Sequence, residues 1–205
     1  RIHGGDPMWS PSARRSHAKH QPRALIVDFD VHHGNGTQAI FYDDPAVMVI
    51  SLHQYGYIYP GTGHHDDAGD GAGRGGTINV PMPAGAGDAL YARAFNEIVA
   101  PAARRFRPDV LLMSAGFDAH WRDPLAHVQL SLTGFAGIVS TLCALSDELC
   151  GGRLVGILEG GHDLEVLSYG VLNAMRIMRG PPELVEEHIG ASPHADTRDQ
   201  RVVDV

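Results

Sequence analysis

Two hydrophobic rhythms alternate along the chain. Short apolar, β-branched runs such as Ala24-Leu25-Ile26-Val27 and Val110-Leu111-Leu112-Met113 read as strands buried on both faces. Strands are predicted at 24–28, 47–52, 77–81, 109–114 and 154–158. Between them the period lengthens to that of a helix. A helix over about 87–106 places Leu90, Ala94, Phe95, Ile98, Val99 and Ala102 on one face, with Pro108 helping to end it. Another begins near Thr133, read as its cap, carries Phe135, Ile138, Val139 and Leu142, and closes at Gly151 and Gly152. Helices are also expected near 36–42, 164–179 and 182–189. A long Gly-, His- and Asp-rich loop fills 53–76. Residues 1–22 show no hydrophobic period and read as irregular, 23–190 as the domain, and 191–205 as a polar tail. Strands alternating with helices imply an α/β fold: three layers, α/β/α, around a mostly parallel sheet. In such sheets sites form beyond the carboxyl ends of the strands.

Composition narrows the function classes. With 24 acids against 16 bases the net charge is −8, which disfavours direct binding to nucleic acid and favours a cationic substrate. No apolar run reaches membrane-spanning length, and no membrane partner is expected. Residues 1–23 lack the apolar core of a signal peptide. The only cysteines, Cys143 and Cys150, are seven apart on one helix face, too distant for a disulfide. They read as reduced core thiols of a cytoplasmic protein. Composition leaves the oligomeric state open.

Candidate chemistry gathers at the strand ends. Asp28-Phe29-Asp30-Val31-His32-His33-Gly34 follows the first strand; if it is extended, Asp28, Asp30 and His32 point the same way. Two buried carboxylates and an imidazole are costly without a cation. The plainer reading is a turn or capping cluster ahead of the helix. Asp118 follows the fourth strand after Ala115 and Gly116, small residues that permit close approach. Alone it reads as a turn aspartate; beside Asp30 and His32 it is the natural third ligand of a zinc site with an open fourth position. Glu159-Gly160-Gly161-His162 ends the last strand, and His162 suits an oxyanion partner or a helix-start histidine. The Gly69–Gly76 stretch is not a phosphate loop, because a strand follows it and no Lys-Ser/Thr closes it. His64-His65, a tempting metal or base pair, reads as a solvated rim.

Taken together, Asp-Phe-Asp-Val-His-His-Gly-Asn-Gly-Thr-Gln at 28–38, Ile-Ser-Leu-His at 50–53, Tyr-Pro-Gly-Thr-Gly at 59–63, Ser-Ala-Gly-Phe-Asp-Ala-His at 114–120, Asp-Pro-Leu at 123–125 and Leu-Glu-Gly-Gly-His-Asp-Leu at 158–164 occur in one order. This series resembles the zinc-dependent histone deacetylase and acetylpolyamine amidohydrolase superfamily, most similar to its class II branch, across about 23–180. The resemblance implies an arginase/deacetylase-like sheet. It implies Zn2+ held by Asp30, His32 and Asp118, and a structural K+ touched by Asp28, Asp30, His32, Ser51 and Leu52. Tyr59 would line the acyl-lysine channel, His33 would stand behind the ligands, and His162 would be the catalytic oxyanion partner. The implied reaction is hydrolysis of an acetylated amine, acetyl-lysine in protein or an acetylpolyamine, to acetate and free amine.

Two departures accompany the resemblance. The family's upstream Gly-His-His segment, whose histidines act as general base and electrostatic partner, does not precede Asp28; His3, His17 and His20 stand in other contexts. The family's early N-terminal strands are also missing, so the chain reads as the C-terminal two-thirds of a domain with impaired activity. His162 stands where most active members carry tyrosine, as in a vertebrate class II sub-branch with weak turnover of acetyl-lysine. The alternatives are an inactive acyl-lysine binding module and, less favoured, a manganese ureohydrolase. The latter's Asp-x-His-x-Asp motif fails at Gly34.

Overall fold

The computed structural model describes residues 21–180 and 187–194. Five strands form one parallel sheet: β1 (Ala24–Asp28), β2 (Val47–Gln54), β3 (Thr77–Met82), β4 (Val110–Ala115) and β5 (Leu154–Leu158), in the order β3-β2-β1-β4-β5. All five fall where the apolar runs lie. Both strands flanking β1 pair with it in matched register, Asp28 opposite Ser51 on one side and Ser114 on the other.

The chain moves outward from β1 to β2 and β3, then returns across the sheet to β4. Helix α1 (Asn35–Phe41) serves the first movement. Helices α2 (Asp88–Ala94) and α3 (Ala100–Phe106) serve the return, and α4 (Leu132–Cys150) the further step in the same direction to β5. Right-handed crossovers running in opposite directions put these on opposite faces. The packing agrees: α4 touches α2, α3, β4 and α5 (Leu164–Met178), whereas α1 rests on β2. The result is the expected three-layer α/β/α arrangement.

Local details differ from the reading of the pattern. The helix expected over 87–106 is interrupted by a π-helical turn at Phe95–Val99, which joins α2 to α3. Tyr91 joins the buried face and Ile98 is half-buried. Arg107, left-handed at φ 52°, ends α3 just before Pro108. Helix α4 is capped by Ser131, whose hydroxyl accepts from the Gly134 amide at 3.1 Å, not by Thr133, whose amide and hydroxyl go to Glu187. Gly151 closes it at φ 61°. At 19 residues α4 is long and apolar enough to cross a membrane by length and composition, which the run-by-run reading did not find. It spends that length on the core, burying Leu132, Phe135, Ile138, Val139, Leu142 and Leu145. The helix expected over 182–189 falls mainly on residues outside the described ones, and 187–190 is not helical. Residues 1–20 and the tail beyond 194 also lie outside them. Cys143 and Cys150 are both free thiols.

A ring cluster of Phe29, Phe117 and Phe135, with centroids 5.1–6.4 Å apart, sits under the carboxyl ends of β1 and β4. Gly170 of α5 packs directly on Phe117, where an added Cβ would collide with the ring. Gly137, on the exposed side of α4, has open space around it. Gly170→Ala should therefore cost about 1–3 kcal/mol through overpacking. Gly137→Ala should gain about 0.5–1 kcal/mol through helix propensity. Urea midpoints that move in opposite directions for the two variants are the expected result.

Candidate metal centre

The chain's one reversal of direction in the sheet lies between β1 and β4. A crevice opens there beyond the strand ends, the place where ligands bind in open parallel sheets. The segment leaving β1 does not stay extended, as the alternation suggested; it bends at 30–32. Asp28 Oδ1 accepts the Asp30 amide at 3.0 Å, and Asp30 Oδ1 accepts the His32 amide at 2.8 Å. These are aspartate turns, so the plainer reading is correct as local chemistry. The turns are also what make the side chains converge.

Asp30, His32 and Asp118 present ligand atoms all within 4.8 Å of one another. His32 Nδ1 lies 3.2 Å from Asp30 Oδ1 and 3.1 Å from Asp118 Oδ2. The second oxygens are held by backbone: Asp118 Oδ1 accepts the Val31 amide at 2.8 Å, and Asp30 Oδ2 accepts the Gly160 amide at 2.9 Å. Asp118 is fully buried, while Asp30 and His32 reach the crevice. Glycines make the approach possible. A Cβ on Gly160 would lie 2.5 Å from both Asp30 Oδ2 and Asp118 Oδ2, and one on Gly116 would strike Asp30. A space that a single carbon would fill, walled by two carboxylate oxygens and faced by an imidazole, fits the donor set of a divalent metal.

Electrostatics point the same way. Hydrogen bonds to Asp118 and then to Asp30 push His32 up to about 10. Burial raises Asp118, while hydrogen bonds and charge from His32 hold Asp30 below the usual carboxylate range against its own burial. Burial pushes Asp28 up to about 8, with the neighbouring carboxylates adding to it. Among the described residues no cationic side chain pairs with Asp28, which lies beside Ser51 and Leu52 on β2. Three carboxyl groups share a single imidazole here, which balances their charge only in part.

The other candidates spread around this centre. Tyr59 is exposed, with its ring 6.2 Å from that of His32. His162 stands on the opposite side, ring centroids 6.4 Å from His32. Gly161, at φ 148°, provides the turn between Gly160 and His162. His33 is buried, and its ring engages Thr62, Gln38 and the His53 ring, none of the trio. Burial, with His33 adding to it, lowers His53 to about 4; its Nδ1 meets Ser51 Oγ at 2.9 Å and its Nε2 meets Gly63 O at 3.0 Å. His64 and His65 lie on the exposed rim. His3, His17 and His20 are outside the described residues.

Asp123 is seen in the sequence only within the Asp-Pro-Leu motif at 123–125, with no role given to it. Its buried carboxylate accepts the His162 amide at 2.9 Å and lies 3.2 Å from His162 Nδ1. Nothing in the motif signals that its carboxylate reaches the next strand end. The Gly160 amide on Asp30 was equally out of reach, 130 residues away.

A family profile for the histone deacetylase domain matches residues 12–178. The chain is 49% identical over 162 residues to histone deacetylase 10, chloroplastic, of Oryza sativa subsp. japonica, covering 79% of this chain and 36% of that protein. It is 44% identical over 140 residues to a histone deacetylase-like amidohydrolase of Pseudomonas aeruginosa, covering 68% and 37%. The crystal structure of the HDA15 HD domain superposes with a TM-score of 0.72 at 42% identity, covering 78% of this chain and 46% of that one. The chain thus spans less than half the length of these relatives.

Asp28 gives a pH signature. Its folded pKa, about 8, lies above its ordinary value of 3.8, so its stabilising share is present below pH 3.8 and lost as pH rises to about 8. His32, raised from 6.5 to about 10, acts in the same direction but only above pH 6.5. Metal-stripped protein in a bulky organic cation should lose stability as pH rises from 4 to 6.5. Asp28→Asn should flatten that fall; urea unfolding across the range measures it, and an unchanged slope assigns the effect elsewhere.

Proposed function

The chain belongs to the histone deacetylase domain family, and on that premise we propose that it is a zinc-dependent amidohydrolase. Its substrates would be acetylated amines, either acetyl-lysine in protein or an acetylpolyamine, released as free amine and acetate. The observation that carries this reading is the convergence of Asp30, His32 and Asp118 on one glycine-walled space at the sheet's reversal point. Those three side chains would hold the metal. Zinc, when bound, supplies a Lewis acid for the acetamide carbonyl and lowers the pKa of water.

The chain's own residues supply the rest. Tyr59 forms one wall of the entry beside His32. Asp123 fixes His162 through Nδ1, which leaves Nε2 as the nitrogen free for substrate, and a hydrogen bond from it would offset charge developing on the amide oxygen. Asp28, Asp30 and His32, with the backbone of Ser51 and Leu52, would hold a structural potassium ion that supplies the counter-charge Asp28 lacks. The acidic net charge of −8 suits the cationic amines that the reaction releases. The two free thiols suit a reducing compartment, which we take to be the cytoplasm, although the rice relative is named chloroplastic.

One observation favours a second reading. Among the described residues, only His162 sets an imidazole beside His32, and the rings of His33 and His53 are engaged elsewhere. General acid–base help is worth about 10²–10⁴-fold, so turnover by these residues alone is expected to be low. The extreme of that case is an acyl-lysine binding module that keeps pocket and metal.

Metal analysis of dialysed protein should find zinc that Asp118→Ala loses; unchanged stoichiometry would sink the ligand assignment. Acetate release from an acetyl-lysine peptide and an acetylpolyamine, assayed with stoichiometric zinc, separates the two readings. Slow release abolished by Asp118→Ala supports the hydrolase, and peptide binding without release supports the module. His162→Tyr should raise slow release by up to about 10²-fold. No gain would remove His162 from the oxyanion role.

A further inference from the structure

The loop between β2 and β3 carries a second group of ligand-type side chains, apart from the strand-end centre. His64, His65 and Asp66 each present a ligand atom, all within 4.8 Å of one another. The two imidazole ring centroids lie 4.1 Å apart, with the rings tilted by 36°. The Asp66 carboxylate reaches both, at 3.3 Å from His64 Nδ1 and 3.4 Å from His65 Nε2. Two neutral imidazoles and a carboxylate this close offer three donor atoms to one shared cation.

The backbone beneath is fixed from several sides. Asn79 Nδ2 and the Asp67 amide both donate to the His64 carbonyl, at 3.2 Å and 3.0 Å. The preceding carbonyl, of Gly63, meets buried His53 Nε2 at 3.0 Å. Gly63 itself sits at φ 91°, where a Cβ would collide with the His53 and His33 rings. The Tyr55 ring flanks His64 at 5.9 Å. Asp67 and Asp70 add further negative charge to the loop. Ligand groups held before the ligand arrives lose less entropy on binding.

We propose that His64, His65 and Asp66 form a second metal site for a first-row divalent ion of the zinc, nickel, cobalt and copper class. Two imidazoles with one carboxylate suit these borderline ions, whereas calcium and magnesium take oxygen ligands. Water completes the shell, since all three side chains are at least partly exposed. A metal on His64 Nδ1 displaces the Asp66 amide now bonded there at 3.2 Å, and that exposed amide turns to water. Without buried supporting partners the site binds more weakly than the strand-end centre. The ion would clip the loop that also carries Tyr59, so its occupancy would stiffen one side of the crevice mouth.

Zinc is the probe: equilibrium dialysis over a range of free zinc, with metal analysis, on wild type, His64→Ala/His65→Ala, Asp66→Asn and Asp118→Ala. Wild type should show a weaker class of site that the double variant loses at an unchanged melting temperature. Asp66→Asn, which removes a ligand, should weaken it by at least the roughly tenfold that loss of even an outer partner costs at metal sites. Asp118→Ala should retain it. A weaker class that persists unchanged in the double variant overturns the proposal, as does a wild type whose zinc is all removed by Asp118→Ala. Nickel should also broaden the ring resonances of His64 and His65 selectively; broadening confined to other histidines counts against the site. The wild-type and double-variant difference reads the rim alone, so failure of the strand-end zinc reading leaves this test intact.

Discussion

Confinement of negative charge at the β1–β4 boundary is the constraint around which the molecule is arranged. Asp28, Asp30 and Asp118 are brought together at adjoining strand ends with one imidazole among them. Isolated buried carboxylates are costly, and backbone amides offset only part of that cost. The Val31, Gly160, Asp30 and His32 amides are all spent on these carboxylates. The residual imbalance appears as the raised pKa values of His32 and Asp28.

The sheet and its ring cluster serve that geometry. Matched register of β1 with both neighbours puts Asp28 level with Ser51 and Ser114, so residues one turn further on project into the same crevice. Phe29, Phe117 and Phe135 form a rigid floor below, and α5 presses Gly170 against it. Close-packed interiors transmit small volume changes, so the placement of Asp118 is sensitive to packing one residue away. Gly116 and Gly160 are small for the opposite reason, to leave space between the carboxylates.

The surroundings divide into a held side and an open side. Asp123 fastens His162 by backbone and ring, and Arg122 pairs at 2.9 Å with both Asp163 and Glu165 beside it. Tyr59 faces His32 from an exposed loop. The crevice is thus flanked by one fixed imidazole and one exposed aromatic ring. His33 and His53 are instead part of the scaffold that holds Gly63 and Thr62.

How much was legible in the sequence follows from the range of each interaction. All five strands were readable as short apolar runs, although only β1 and β2 are buried almost throughout, whereas β5, equally apolar in sequence, is exposed along most of its length; parallel pairing follows from their alternation with helices. Asp30, His32 and Asp118 were readable because the strand-end rule converts two distant runs into neighbours. Local chemistry with competing solutions was not. Ser131 and Thr133 are both capping residues, and only packing against Glu187 decided between them. The π turn at Phe95–Val99 leaves no mark in the residue types; it lies where α2 and α3 both pack on α4. The bend at 30–32 replaced an extended row because Asp28 and Asp30 captured amides two residues on. His33 looked like a supporter of the ligands, and its ring direction was settled by Thr62 and Gln38. The pairing of Asp123 with His162 joins two strand ends that sequence spacing cannot relate. Residue types and periodicity therefore determined which groups reach the crevice, whereas which way each side chain turns was decided by contacts formed only once β1, β4 and β5 lie side by side.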